Sequence, residues 1–182
     1  LRDRGIAGEY VIAGATHPNV RRAEGESYRQ SLLDLARKLG VASSVRLADE
    51  YLSDEELGQL VSESSLFLLP YDSREQITSG VLVAAIAAGG PVGATRFPHA
   101  AELLGTGAGV LVDHRDPIAI ADAVEHIFRD GDASERMRER SRALAADLDW
   151  RRVGQIYLAL AERLWRHRGV MNDHDAPMAA SA

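Results

Sequence analysis

The sequence predicts an α/β domain built on a doubly wound parallel sheet. Short β-rich runs alternate with runs of helical period from Glu9 to about Arg129. The runs close on breakers or polar loops, as at Gly14 and Pro70. The helix expected after Thr78 carries no charge, so it should be buried on most of its circumference. Strands alternating with helices call for a parallel sheet covered on both faces.

Taken in order, Tyr10-Val11-Ile12-Ala13 reads as a buried strand closed by Gly14. From Glu24 to Leu39, the residues Tyr28, Leu32, Leu35, Ala36 and Leu39 share one helical face, and Gly40 stops the helix. Ser44-Val45-Arg46-Leu47 is a second strand. Ser53 and Glu56 have the spacing of a capping box and open a helix expected to bury Leu57, Leu60 and Val61. Leu66-Phe67-Leu68-Leu69 is a third strand, ended by Pro70. A helix from about Ser79 to Ala88 follows, then strands around Pro91 to Ala94 and over Gly109-Val110-Leu111-Val112. Asp116 and Pro117 supply an N-cap and a first-turn proline to a helix with Ile120, Val124, Ile127 and Phe128 on one face. Helices over Ala133 to Ala146 and Trp150 to Arg166 come next. The small, polar tail from about Arg168 is expected to be disordered.

The 182 residues suit one domain, and 46% hydrophobic against 26% charged residues is a globular balance. A net charge of -6 without a Lys/Arg cluster excludes the basic footprint of a nucleic-acid binder. The absence of cysteine removes disulfides, thiolate nucleophiles and cysteine zinc sites, and is compatible with the cytoplasm. The charged start, Leu1-Arg2-Asp3-Arg4-Gly5, does not read as a leader, and the sequence opens as though cut from something longer. The uncharged run from Gln76 to Thr95 approaches the length of a membrane span. Its glycines and Pro91 instead suit a helix that stops at Gly89-Gly90 before a buried strand.

Ligands of such sheets bind beyond the carboxyl ends of the strands. The loops to consider are therefore Gly14 to Arg22, Ala48 to Leu52, Pro70 to Ser79, Thr95 to His99, and Asp113 to Arg115. The third of these delivers Thr78, Ser79 and Gly80 to a helix start, where free N–H groups and the helix dipole favour an anion. Gly80 would let a diphosphate approach the backbone. Ordinary capping by Thr78 or Ser79 is the plain alternative.

The stretch Gln76 to Leu104, with its core Ser79-Gly80-Val81-Leu82-Val83-Ala84-Ala85-Ile86-Ala87-Ala88-Gly89-Gly90-Pro91-Val92, resembles the donor-binding signature of the retaining GT-B glycosyltransferases of the group 1, or family 4, type. The strands ending in Gly14 and Pro70, the run Gly107 to Pro117 and the segment Trp150 to Tyr157 fit the same template, so the resemblance covers about residues 8 to 165. It implies that residues 1–166 form the C-terminal, Rossmann-like lobe of a GT-B fold, short of its first strand-helix unit, with 167–182 as a tail. It further implies a hexosyltransferase that uses a nucleoside-diphosphate sugar without a metal or other cofactor. The acceptor, a glycan or lipid, would sit on an absent N-terminal lobe, and the fragment alone would be inactive. Cytoplasmic location follows, with attachment to a membrane periphery left open.

On this template the donor-binding residues are Gly14, His17, Glu50, Tyr51, Thr78, Ser79, Gly80 and Val81, with Glu75 and Gln76 as the catalytic candidates beside the sugar. Two departures stand out. The family's second glutamate, which holds the ribose, falls on Ala84, and the first on Gln76. The arginine and lysine that grip the diphosphate belong to the absent first unit. A non-catalytic scaffold or regulatory subunit is the alternative: Ala84 favours it slightly, the intact Thr78-Ser79-Gly80 loop argues against it, and Ala84 reads more as a change in donor grip than as loss of activity. A dinucleotide-dependent oxidoreductase lacks its Gly-x-Gly-x-x-Gly turn.

His17 is preferred as a cleft residue over one that only bonds locally. His99 and Glu102 read as a helix-start pair without a ligand. Glu24 and Glu26 with Arg29 read as a solvated helix end holding a side-chain pair. The six histidines show no metal-ligand spacing. Glu135 to Arg142 reads as a solvated helix face.

Overall fold

β-branched and aromatic runs too short for helices set the strands, and the computed structural model describes residues 1–48 and 52–174, among which five strands occur. They are β1 (Tyr10–Ile12), β2 (Val45–Leu47), β3 (Phe67–Leu69), β4 (Val92–Thr95) and β5 (Gly109–Val112). The helices are α1 (Pro18–Glu24), α2 (Ser27–Lys38), α3 (Asp54–Glu63), α4 (Gly80–Ala87), α5 (Pro98–Leu103), α6 (Pro117–Arg129), α7 (Gly131–Leu148) and α8 (Trp150–His174).

Every pairing is parallel, as the alternation of strands and helices requires. β1 pairs with β2 in one sheet, while β3, β4 and β5 form a second in that order. Among the described residues no strand pairs with the remaining edge of β1 or of β3.

The core belongs to the second sheet. Leu69, Val92 and Ala94 pack with Leu82, Ala85 and Ile86 of α4 and with Phe97, Ala100, Leu103 and Leu104. α7 closes that layer. Its buried stripe Ala133, Met137 and Ser141 follows the four-residue spacing of one helical face. Ser141 is fully buried, with its hydroxyl 3.3 Å from the carbonyls of both Gly90 and Ala108. The stretch Glu135 to Arg142 is thus not wholly solvated: Arg142 pairs with Glu135 outside while Met137 and Ser141 turn inward.

Two glycines set how closely neighbouring strands of this sheet approach. A Cβ on Gly109 would stand 2.2 Å from the Val92 carbonyl oxygen, and one on Gly90 2.7 Å from the Phe67 ring. The first clash is with backbone that cannot rotate away. Gly109→Ala should therefore cost about 1–3 kcal/mol by forcing β4 and β5 apart. A thermal melt at unchanged midpoint would show that the ladder absorbs the methyl group.

The structure corrects several expectations in the first half of the chain. Gly14 to Arg22 is not one loop, because α1 starts at Pro18. Gly25, at φ 64°, separates it from α2, which begins at Ser27 rather than Glu24. Ala36 is the one buried residue among the described residues before Leu69. Tyr28, Leu35, Leu39 and Leu57 are exposed, so the apolar faces of α2 and α3 lack the cover their patterning asks for. α4 is buried on one side only: Val81, Ala84, Ala87 and Ala88 face outward despite the absence of charge. α8 continues to His174, beyond the expected start of the tail. The run Gln76 to Thr95 is a short helix and a strand, and no described helix is long and apolar enough to cross a membrane.

Local capping matches the sequence closely. Ser53 and Glu56 form a complete capping box, and the Asp116 carboxylate accepts from the Ile118 and Ala119 N–H groups. A turn at Arg2–Arg4 adds a link that patterning does not reveal. Arg2 donates to the Gly40 carbonyl at 2.9 Å, and Arg4 reaches Asp122 and Glu125 of α6 at 2.5 and 2.8 Å.

Candidate functional site

Strands β3, β4 and β5 end level with one another, because Leu69 pairs with Ala94 and Ala94 with Leu111. Their following loops therefore share one rim. The first loop, from Pro70 to Ser79, is held at both ends. At its start, the Thr95 hydroxyl donates to the Tyr71 carbonyl at 2.7 Å, and the Tyr71 ring lies 5.2 Å from that of Phe97. At its end, the Ser79 N–H donates to Nδ1 of His99 at 2.9 Å. His99 is thus more than half of a helix-start pair: it fixes the residue that caps α4.

Ser79 is 4% exposed and accepts from the Leu82 N–H through its hydroxyl at 3.2 Å. The Val83 N–H returns to the Ser79 carbonyl at 3.2 Å. The N–H groups of Gly80 and Val81, at the first positions of α4, have no acceptor among the described residues. Nothing lies within 4 Å of where a Gly80 Cβ would stand. Two unspent donors at the positive end of a helix dipole, under open space, are suited to an anion.

Capping and donor exposure thus occur together at this helix start. Thr78 is exposed, and Gln76 is half-buried with its amide donating to the Thr78 carbonyl at 3.1 Å. Glu75 is exposed without a hydrogen bond or ion pair to a described residue. Ala84 is exposed on the same helix, so its position opens to solvent rather than to the core.

Gly14 and His17 lie in the unit of β1 and β2. Gly14 takes φ 119° and its carbonyl accepts from Arg29 at 3.4 Å. His17 caps α1, its Nδ1 accepting from the Asn19 N–H at 3.2 Å, which is the local role weighed against the cleft role. No hydrogen bond or ion pair ties either residue to the loop before α4 among the described residues. Glu50 and Tyr51 lie outside the described residues. Glu26 bonds Thr16 at 2.6 Å and pairs with Arg21 at 3.2 Å, so its side-chain partner is not the Arg29 expected.

Residues that patterning did not single out crowd the same rim. Asp72 takes a two-pronged bond from Arg115, at 2.8 and 2.6 Å, and Arg115 itself stands at φ 60°. The Arg115 hydrogen bonds hold the Asp72 carboxyl below the usual carboxylate range and raise the guanidinium in turn. A cavity of about 200 Å³ lies beside this pair, among Tyr71, Thr95, Pro117 and Ile120. A second, of about 400 Å³, is lined by Arg74, Arg96, Asp113 and His114. Their loops were legible, but no spacing in the sequence relates residues that meet only across three strands. Among the described residues no three His, Asp or Glu side chains group to hold a metal ion.

Comparison with known proteins bears on the fold and the family. The chain is 31% identical over 134 residues to D-inositol 3-phosphate glycosyltransferase of Corynebacterium urealyticum, covering 73% of this chain and 31% of that protein. It therefore spans about a third of the length of that curated relative. Anabaena Alr3699/HepE in complex with UDP superposes with a TM-score of 0.73 at 19% identity, over 87% of this chain and 41% of that one. The C-terminal domain of the group 1 glycosyl transferase LpcC from Francisella tularensis superposes with a TM-score of 0.61 at 14% identity, over 80% of this chain and 88% of that one. These likenesses establish the fold as the Rossmann-like lobe of a GT-B architecture. The sequence pattern of the glycosyl transferases group 1 matches residues 4–144, and over that span, which is most of its length, the chain belongs to this family.

Proposed function

We propose that this chain is the donor-binding lobe of a retaining hexosyltransferase that takes its sugar from a nucleoside diphosphate. The observation that carries the reading is the pair of unspent N–H groups at Gly80 and Val81, with open space above Gly80. A diphosphate there would meet fixed donors that need no reorganisation as charge develops on the leaving group. Gln76, with Glu75 beside it, would contact the sugar, and Gly14, His17, Glu50 and Tyr51 would complete the donor site. The acceptor, a glycan or lipid, would come from a second lobe. The family relative's glycosyltransferase activity and the UDP bound to the Anabaena protein support the class of reaction and of donor.

Calorimetric titration with a panel of UDP-, GDP- and ADP-sugars, with NAD as control, tests this reading. Saturable binding of one sugar nucleotide is expected. Binding of none would favour the non-catalytic scaffold, to which the missing carboxylate at Ala84 lends support, and binding of NAD alone would favour an oxidoreductase.

Ala84→Glu restores a carboxylate at the template's ribose position. Because Ala84 is exposed, the change should leave the melt unaltered. A carboxylate-to-hydroxyl bond is worth about 1.5–3 kcal/mol at best, so nucleotide binding should tighten by about tenfold to a hundredfold at most, or stay level. Unfolding of the variant would show that the motif has been aligned in the wrong register.

A further inference from the structure

The chain is acidic overall, at -6, yet three strand-end loops bring Arg74, Arg96 and His114 to one cavity of about 400 Å³ with Asp113 as the lone carboxylate in its lining. Neither guanidinium makes a hydrogen bond or salt bridge to a described residue. Asp72, whose carboxylate feels the charge of Arg74, gives its two hydrogen bonds to Arg115 rather than to Arg74. His114 adds a third group. Its Nε2 is buried without a partner among the described residues. That nitrogen is closed to solvent, so the two exposed guanidinium groups are the ones that can reach a ligand in the cavity.

We infer that Arg74 and Arg96, in the cavity that His114 also lines, form a binding site for a phosphate dianion, either free or carried as a phosphate monoester, separate from the helix start at Gly80. Two cations against one carboxylate leave a net positive lining. Guanidinium forks match phosphate oxygens in pairs. The cavity falls within the ordinary range for a small ligand and exceeds what phosphate alone would fill. None of the residues from Gln76 to Val81 lines it, so the site does not depend on the donor reading.

The test is titration of the whole chain with inorganic phosphate, repeated with glucose 6-phosphate and repeated with UDP present, at constant ionic strength. Saturable phosphate binding is expected, with Arg74→Ala and Arg96→Ala each weakening it by about tenfold, as loss of a charge-assisted bond implies. Both side chains are exposed, so neither variant should alter the thermal melt. Tighter binding of glucose 6-phosphate than of phosphate would support the site and assign it to a phosphorylated ligand. Equal binding would support it as a site for free phosphate. Absence of saturable binding, indifference to both arginine variants, or displacement of phosphate by UDP would overturn the inference. UDP affinity, read in the same experiment, should be unchanged in Arg74→Ala and Arg96→Ala, and its own failure would count against the donor reading alone.

Discussion

If the proposed two-lobe reading holds, residues 1–182 expressed alone should show no sugar transfer, melt early and self-associate, and fusion to a first strand-helix unit and a second lobe should rescue all three. β1 pairs only with β2, and β3 only with β4, so each offers an open edge of backbone groups among the described residues. The unit around β1 buries little besides Ala36, while Tyr28, Leu35 and Leu39 of α2 stand exposed. On α8, Ile156, Tyr157, Leu160 and Leu164 form a further uncovered apolar face. A strand and helix placed between β1 and β3 would pair those edges and cover part of this surface. Recovering about 5 kcal/mol would raise the midpoint by roughly 10–20 °C in a domain of this size. A cooperative, high-temperature melt of a monomeric 182-residue chain would contradict the expectation of instability. Measurable transfer by that chain would contradict the requirement for two lobes.

Gly80→Val in the complete enzyme should weaken donor binding by about tenfold to a hundredfold without unfolding the lobe. Loss of one hydrogen bond to a charged group, about 1.5–3 kcal/mol, corresponds to that range. The side chain would project into space that is now open, and Gly80 is not at positive φ, so neither clash nor backbone strain is expected. Valine is also no worse than glycine in a helix. What changes is access to the Gly80 and Val81 N–H groups. Unaltered affinity for the sugar nucleotide would remove this helix start from the donor site.

Much of this architecture is written locally. The bounds of β5, the capping box at Ser53 and Glu56, and the Asp116-Pro117 helix start depend on neighbours in sequence and were legible there. α1 was missed because His17 is not among the favoured capping residues, although Pro18 sits at a preferred first position. The burial expected of Leu57, Leu35 and most of α4 failed for another reason. An apolar stripe names a face that seeks cover, and the cover must come from elsewhere in the fold. The donor candidates Ser79 and Gly80 were found because a helix start has a local signature. His99 was not, since its bond to Ser79 joins loops that meet only when β3 and β4 pair. The same holds for Arg74, Arg96 and His114, which the registry of three parallel strands brings to one rim.

The most direct test of the donor reading is a UDP titration of the chain labelled with ¹⁵N at glycine and valine, followed by amide shifts. The Gly80 and Val81 resonances should move most as the diphosphate accepts from their N–H groups, while Gly109, in the β4–β5 ladder, stays in place. Saturable UDP binding that leaves Gly80 and Val81 unmoved would contradict it.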